Sequence, residues 1–186
     1  ISFSAVPQGY LGEALFTRAF YGEVRGSHSA LGSDSNFLQL RLQAERALDI
    51  APQWHLLLRG ELGASMVSNF EDLPGSERFF AGGDRSVRGF GYNDLSPRNA
   101  LGEKIGARHL LTGTVEIERD LPRNFGIAVF TDFGNAINKF GDPLAYSVGI
   151  GARWRLPVVT VGIDVAQSLT KLDTGVTASG NRFRSL

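Results

Sequence analysis

A single stretch, Arg78-Phe-Phe-Ala-Gly-Gly-Asp-Arg-Ser-Val-Arg-Gly-Phe-Gly-Tyr92, occupies the centre of a long gap between segments that alternate apolar and polar residues. The gap runs from Ser65 to Arg108, and connections longer than about 12–15 residues without structure of their own are usually functional or disordered. The composition does not indicate disorder, because aromatic side chains supply apolar anchors and glycines permit tight backbone paths. Arg85 and Arg88 add cations that can meet carboxylates through a planar fork. We therefore predict an ordered loop that folds back on to the neighbouring strands.

The segments on both sides of this stretch alternate with a period of two, which is the pattern of β-strands. The period is clearest at 37–46, 54–63, 146–155 and 159–166, and helical periodicity is weak throughout the chain. Each segment carries apolar side chains on one face and polar or charged ones on the other. This arrangement fits either a half-exposed soluble sheet or a barrel with lipid outside and a wet lumen. The predicted fold class is all-β.

The connections between these segments favour the barrel. Short connections such as Asp49–Pro52 and Asp120–Asn124 alternate with long ones such as Ser65–Arg108, and outer-membrane barrels have short turns at one end and long loops at the other. We therefore predict an antiparallel transmembrane β-barrel, several of whose strands reach the roughly 9–11 residues that a tilted strand needs to cross a bilayer. The strands, about eight in number, are expected at 1–6, 13–25, 36–48, 53–65, 108–119, 124–134, 145–155 and 158–168. The aromatic residues expected at the two membrane interfaces are Trp54, Phe125, Phe133, Tyr146 and Trp154.

Composition excludes several classes of function. Lysine plus arginine and aspartate plus glutamate balance at 19 each, so no net attraction to nucleic acid is implied. Cysteine is absent and the three histidines are far apart, so we expect no metal and no cofactor. Serine, histidine and aspartate form no triad context, so we expect no enzymatic activity. The chain has no run of about 18 apolar residues, and it opens at Ile1 inside an extended pattern without a signal peptide, which we interpret as an internal fragment.

Two strands that follow the gap carry carboxylates on their polar faces. Glu116 lies on the polar face of 111–118, and Asp132 lies with Gly134 on the polar face of 127–134. Either carboxylate is suited to receive an arginine fork from the loop. The sequence Gly82-Gly83-Asp84 predicts a tight turn in which glycine supplies a positive φ.

Three motifs together resemble the signature of the outer-membrane assembly-factor superfamily, the BamA/TamA-like barrels of surface-antigen type. They are Val87-Arg88-Gly89-Phe90, Gly113-Thr-Val-Glu116 and Phe130-Thr-Asp-Phe-Gly134. The stretches 31–37 and 78–86 most resemble the TamA branch, in the C-terminal half of its barrel. The resemblance covers nearly all of the chain. It implies a 16-stranded barrel, about twice the number of strands counted here, preceded by periplasmic POTRA repeats.

The resemblance also implies a domain organisation and a site. Residues 1–186 are then the C-terminal part of an outer-membrane β-barrel domain, with loop 65–108 folded into the lumen and with the POTRA repeats, the first barrel half and the last strand absent. Arg88 matches the family arginine that pairs with lumen-facing Asp132, and Glu116 matches the acidic residue on the preceding strand. The internal-loop motif comprises Gly82, Gly83, Asp84, Arg85, Val87, Arg88, Gly89 and Phe90, and its lumen partners are Glu116, Asp132 and Gly134.

The function that the resemblance implies is protein assembly in the bacterial outer membrane. Such a factor helps β-barrel or autotransporter-type clients to fold or insert in the lipid bilayer without bond-making chemistry. In the TamA branch the periplasmic partner is a TamB-like protein. Two other classes stay open, since a two-partner secretion pore shares the barrel and loop signature and a soluble β-sandwich binding domain shares the alternating strands. A pore is expected to conduct ions, whereas an insertase is expected to alter the levels of several barrel proteins.

Overall fold

The computed structural model of the chain describes residues 18–28, 36–155 and 160–170. Within these ranges, seven antiparallel strands form one sheet in which each strand pairs with its neighbours in sequence. The strands are β1 (Arg18–Ser27), β2 (Phe37–Ala51), β3 (Trp54–Val67), β4 (His109–Leu121), β5 (Phe125–Ile137), β6 (Ala145–Arg155) and β7 (Thr160–Ser168). The prediction of an all-β antiparallel fold is confirmed. The predicted strand 1–6 and the first residues of the strand predicted at 13–25 lie outside the described residues.

The short turns are tighter than the sequence predicted, and the strands beside them are correspondingly longer. Ala51 pairs with Trp54 around a turn of two residues, of which Gln53 has a φ of 66°. Leu121 pairs with Phe125 around a three-residue turn in which Arg123 and Asn124 also have positive φ. The predicted strand ends at 48 and 119 were therefore wrong by two to three residues, because the polar residues expected in the turns continue the ladder.

The apolar face of the sheet is exposed and the polar face is buried, which is the reverse of a soluble sheet. Val129, Ile150 and Ile163 are each at least 63% exposed, whereas Asp132 is fully buried and Glu116 is only 5% exposed. A soluble protein buries its apolar face and leaves the polar face in water. A barrel wall in a membrane does the opposite, with apolar side chains towards lipid and polar ones towards the lumen. The exposure pattern therefore favours the predicted barrel over the soluble sheet.

Aromatic side chains mark both ends of the apolar face. Phe125 stacks on Trp154 with ring centroids 5.6 Å apart, and Phe133 stacks on Tyr146 at 6.5 Å. Both are cross-strand pairs of β5 and β6. The two levels are separated by eight residues of β5, or about 26 Å along the strand. That separation is close to the apolar band of about 25 Å that outer-membrane barrels show between their aromatic girdles.

Ion pairs between different strands line the polar face, here called the inner face. Arg41 pairs with Glu61 at 2.6 Å, and Arg59 pairs with Glu45 at 3.0 Å. Near the short turns, Arg155 reaches both Glu118 and Asp120. These contacts continue the polar character of the inner face along the full length of the strands. Opposite charges on adjacent strands also help to fix the strand register.

Candidate functional site

The connection between β3 and β4 is an ordered loop of residues 68–108, here called the internal loop. The gap was predicted to begin at Ser65, but residues 65–67 belong to β3. Isolated bridges join Phe79 to Ala107 and Ala81 to Leu95, so the loop has backbone pairing of its own. Its only helical turns are Phe70–Asp72 and Gly75–Glu77. Among the described residues, no helix is long and apolar enough to cross a membrane.

The internal loop is packed against the sheet through a small apolar core. Its members are Phe79, Ala81, Val87, Leu95 and Ala107 of the loop with Leu110, Ala136 and Ala145 of the strands, and Phe90 packs against them. The Leu95 carbonyl oxygen also accepts a hydrogen bond from the Ala136 N–H at 3.4 Å. The loop therefore covers the inner face at the long-loop end of β4, β5 and β6.

The predicted glycine turn forms the tip of the loop. Gly82 and Gly83 both have a φ of 102°, as the tight-turn interpretation predicted. The Gly82 N–H donates to Ser86 Oγ at 3.1 Å, and the Ser86 N–H donates to the Gly83 carbonyl oxygen at 3.0 Å. Asp84 and Arg85 are exposed at this tip. Arg85 and Ser86 line a cavity of about 510 Å³ that is open to the ion pairs of β2 and β3.

Arg88 forms a bidentate ion pair with Asp132. Its Nε donates to Oδ2 at 2.8 Å, and its Nη2 donates to Oδ1 at 2.9 Å. The backbone N–H of Arg88 donates to the same Oδ2 at 3.0 Å. Charge-assisted and bidentate hydrogen bonds are the strongest in proteins. Because Arg88 is only 7% exposed, the two charges depend on each other for compensation.

Two further carboxylates and a second arginine complete a charge cluster, defined here as Arg88, Glu116, Asp132, Arg153 and Asp164. Arg88 Nη1 donates to Glu116 Oε2 at 2.8 Å and to Asp164 Oδ2 at 3.1 Å. Arg153 Nη2 donates to Glu116 Oε1 at 3.0 Å, and Arg153 Nη1 pairs with Asp164. The charge cluster thus ties the tip of the loop to β4, β5, β6 and β7.

Burial and ion pairing act in opposite directions on Arg88. Burial by itself lowers the pKa of the guanidinium, but hydrogen bonds to Asp132 and Glu116 outweigh it and raise that pKa above its ordinary value. The side chain is therefore cationic across the accessible pH range. Its guanidinium carbon lies 3.3 Å from the centroid of the Phe130 ring. A cation over an aromatic face adds a further attraction when water is excluded.

Glycines give the loop and the Phe130 ring close access to the wall. A Cβ at Gly149 would overlap the Phe130 ring and approach the Val165 carbonyl oxygen. Gly89 has a φ of 87°, and a Cβ there would lie 3.1 Å from the backbone nitrogen of Ser168. Gly134 has a φ of 151°, and a Cβ there would lie 2.7 Å from Thr112 Cα. Gly134 thus lies close against β4, whereas Glu116 and Asp132 bind the loop directly.

The contacts of several residues at the site were not predicted from the sequence. Arg153 and Asp164 lie on the polar faces of β6 and β7, which the period of two already indicated. Periodicity does not show which polar side chains of different strands meet, so their contacts with Glu116 and Arg88 were not predicted. Ser147 is fully buried beside this site, and its Oγ has no hydrogen-bond partner among the described residues.

Replacing Asp164 tests the link between the loop and β7. Asp164→Asn is expected to lower the free energy of unfolding of the full-length protein by on the order of 1 kcal/mol, because the pair is partly exposed to solvent. The Arg88 bonds to Asp132 and Glu116 remain in this variant. The measurement is denaturant unfolding of the protein folded in lipid or detergent. A loss as large as that caused by Arg88→Ala would contradict the secondary role given to Asp164.

Comparison with known proteins places the chain in one family. Residues 15–184 match the family model described as the Omp85 superfamily domain. The chain is 30% identical over 136 residues to the outer membrane protein assembly factor BamA of Nitratidesulfovibrio vulgaris, covering 69% of this chain and 17% of that protein. It is 33% identical over 134 residues to sorting and assembly machinery component 50 homolog A of Xenopus laevis, covering 67% of this chain and 27% of that protein.

A solved structure shows the same fold. The crystal structure of BamA from Haemophilus ducreyi lacking POTRA domains 1-3 matches 93% of this chain and 38% of that chain, with a TM-score of 0.70 and 19% sequence identity. The chain spans less than a third of the length of either relative described above. The family model covers most of the chain, so membership of the family does not depend on any single relative. The chain belongs to the Omp85 superfamily, whose BamA members are β-barrel proteins of the bacterial outer membrane.

Proposed function

We propose that this chain is the barrel part of an outer-membrane protein assembly factor whose internal loop is held in the lumen by the charge cluster. The observation that carries the proposal is the two-pronged bond between Arg88 and the buried Asp132 on the inner face. The polar contacts of the charge cluster can be exchanged for water in a hydrated lumen without breaking the strand pairing of the wall. The names of the two relatives, an assembly factor and an assembly machinery component, support the same class of function.

The physical task of such a factor is to supply hydrogen bonds at the membrane. An unpaired backbone group in hydrocarbon costs several kcal/mol, so a client strand needs a partner before it enters the bilayer. A barrel wall that offers strand pairing lowers that cost without nucleotide, metal or bond-making chemistry. The expected clients are therefore outer-membrane β-barrel proteins. In this proposal the internal loop sets whether the wall beside it is held rigid or free to rearrange.

The domain organisation and the branch are part of the proposal. Residues 1–186 would be the C-terminal part of a 16-stranded barrel, with loop 65–108 in its lumen. The POTRA repeats, the first barrel half and the last strand would then come from other parts of the protein. The motifs at 31–37 and 78–86 support the TamA branch. That branch implies autotransporter-type clients and a TamB-like periplasmic partner.

A two-partner secretion pore is the second candidate, because the inner face is polar enough to line a channel. The cavity of about 510 Å³ beside Arg85 is bordered by charged side chains of β2 and β3. A chain passing through the lumen would require the internal loop to leave its place on the inner face. In that case the charge cluster would act as the closing contact of a pore.

Depletion of the full-length protein from its own bacterium separates the two candidates. An assembly factor is expected to reduce the levels of several outer-membrane β-barrel proteins in parallel, with little ion conductance when the protein is placed in planar bilayers. Restoring the wild-type protein should restore those levels. Loss of one secreted protein alone, together with ion conductance in the bilayer, would overturn the assembly proposal and favour the pore.

A further inference from the structure

The first part of the internal loop is held by contacts that do not involve the charge cluster. Residues 69–78, here called the strap, contain the two short helical turns of the loop. The N–H groups of Asp72, Leu73, Glu77 and Arg78 each donate to a carbonyl oxygen inside the strap. The strap contacts β1 and β2, whereas the charge cluster draws its members from β4 to β7. The strap and the tip of the internal loop are therefore attached to different parts of the wall.

Arg78 links the residues of the strap to one another and to the last part of the internal loop. Its Nε donates to the Leu73 carbonyl oxygen at 2.8 Å, and its Nη1 donates to the Ile105 carbonyl oxygen at 3.2 Å. Nη2 lies 3.4 Å from the carbonyl oxygens of Phe70 and Glu71. The guanidinium carbon also lies 4.5 Å from the Phe70 ring centroid. The acceptors of Arg78 in the described part of the chain are all backbone carbonyls, so Arg78 fixes the path of the backbone.

The other side of the strap is bound by side chains of β1 and β2. Gln39 Nε2 donates to the Glu77 carbonyl oxygen at 2.6 Å and to Ser65 Oγ at 2.9 Å. Gln39 is buried on the inner face. Arg25 Nη1 pairs with Glu77 Oε2 at 3.2 Å. The Arg25–Glu77 pair is exposed, so the attachment rests mainly on Gln39, whose buried amide would lose its partner in Glu77 if the strap moved.

An apolar contact separates the strap from the tip of the loop. Phe79 follows the strap directly and its ring lies on Gly63 of β3, where a Cβ would come within 2.5 Å of the ring. The backbone of Phe79 exchanges two hydrogen bonds with Ala107, at 3.0 and 2.9 Å. These contacts hold the chain between the strap and the glycine turn. Movement at the tip therefore need not reach the strap.

We infer that Arg78 is a positioning residue of a second anchor, and that the internal loop is docked in two parts that open separately. Release of Arg88 then frees the tip while the strap stays bound to β1 and β2. The relevance of this opening to assembly rests on the proposed function, but the two anchors themselves are a property of the fold. In an assembly factor, the tip would then leave the charge cluster and return to it while the strap stays bound to β1 and β2.

Hydrogen exchange followed by mass spectrometry tests the inference in the full-length protein folded in lipid nanodiscs, without any client. Arg78→Ala is expected to speed exchange of the strap amides by about tenfold or more and to change those at 82–94 by less than about threefold. Arg88→Ala is expected to give the reverse pattern. Arg78→Lys should fall between wild type and Arg78→Ala, because one ammonium group cannot reach the same set of carbonyls as a planar fork.

Two further variants keep the test independent of a folding defect. Gln39→Ala removes the opposite attachment of the strap and should speed exchange in the same residues as Arg78→Ala. Arg46→Ala removes an exposed arginine of β2 and should leave both regions unchanged. Equal opening of both regions in either arginine variant, or no opening of the strap in Arg78→Ala, overturns the second anchor. Because no client is present, these results stand apart from any failure of the assembly proposal.

Discussion

Arg88→Ala in the full-length protein is expected to lower the free energy of unfolding by about 3–5 kcal/mol and to free the tip of the internal loop. The side chain makes hydrogen bonds to Asp132, Glu116 and Asp164. Its removal leaves a fully buried Asp132 carboxylate with only the Arg88 backbone N–H from the loop. A buried charge without its partner is far more costly than the intact pair is stabilising.

Unfolding in denaturant and limited proteolysis together measure this effect. New cleavage is expected within 82–92, with no new cleavage in the strands. Arg88→Lys keeps the charge but loses the fork, so an intermediate loss of stability is expected. Arg85→Ala is the matched control, because Arg85 lies in the same loop but is exposed. Wild-type stability and an unchanged cleavage pattern in Arg88→Ala would refute the anchoring role of the charge cluster.

Gly149→Val is expected to destabilise the barrel by about 1–3 kcal/mol and to displace Phe130 from under Arg88. Gly149 lies beneath the Phe130 ring, and a Cβ there would also approach the Val165 carbonyl oxygen of β7. The Arg88 guanidinium lies over the ring, and the Val165 carbonyl oxygen belongs to the backbone of the wall. A side chain at 149 therefore disturbs the β6–β7 pairing and the cation over the ring at once.

The measurement is again denaturant unfolding, with Gly141→Val as the control. Gly141 lies in the loop between β5 and β6, where a Cβ would have no neighbour within 4 Å. Its substitution is expected to change stability by less than about 0.5 kcal/mol. Equal effects of the two substitutions would show that the close packing of Phe130 on Gly149 is not important for stability.

The alternating pattern predicted the strands of this fold well because each face of the wall has one environment along its length. The apolar face is turned towards lipid and the polar face towards the lumen. Segment 146–155 repeats with a period of two over its whole length, and β6 begins and ends where predicted, at Ala145 and Arg155. The turns were predicted less well. Asp49 and Asp120 suggested turn positions, but an aspartate on a polar inner face can equally lie within a strand. Both aspartates lie in strands and bind His55.

The candidate site divides in the same way. Periodicity alone put Glu116 and Asp132 on the inner face, and the structure brings both within hydrogen-bond distance of Arg88. The functional role of these residues stays a prediction. The contact of Arg153 with Glu116 depends on the distance between strands that are not neighbours, and the contacts of Asp164 and Arg78 with the loop depend on the path of a long loop. Neither is encoded in a local pattern, so a single sequence gives no signal for them.

The sequence separation of the contacts made by Arg88 has a consequence for the order in which the protein matures. Its acidic partners lie 28, 44 and 76 residues further along the chain. Contacts between distant residues form late, because the intervening chain must first lose its freedom. The complete set of partners exists only once β4, β5 and β7 have taken their places. Arg88 bound to all three carboxylates is thus a sign that β4, β5 and β7 are in place, and before that point Arg88 has fewer acidic partners and more contact with water.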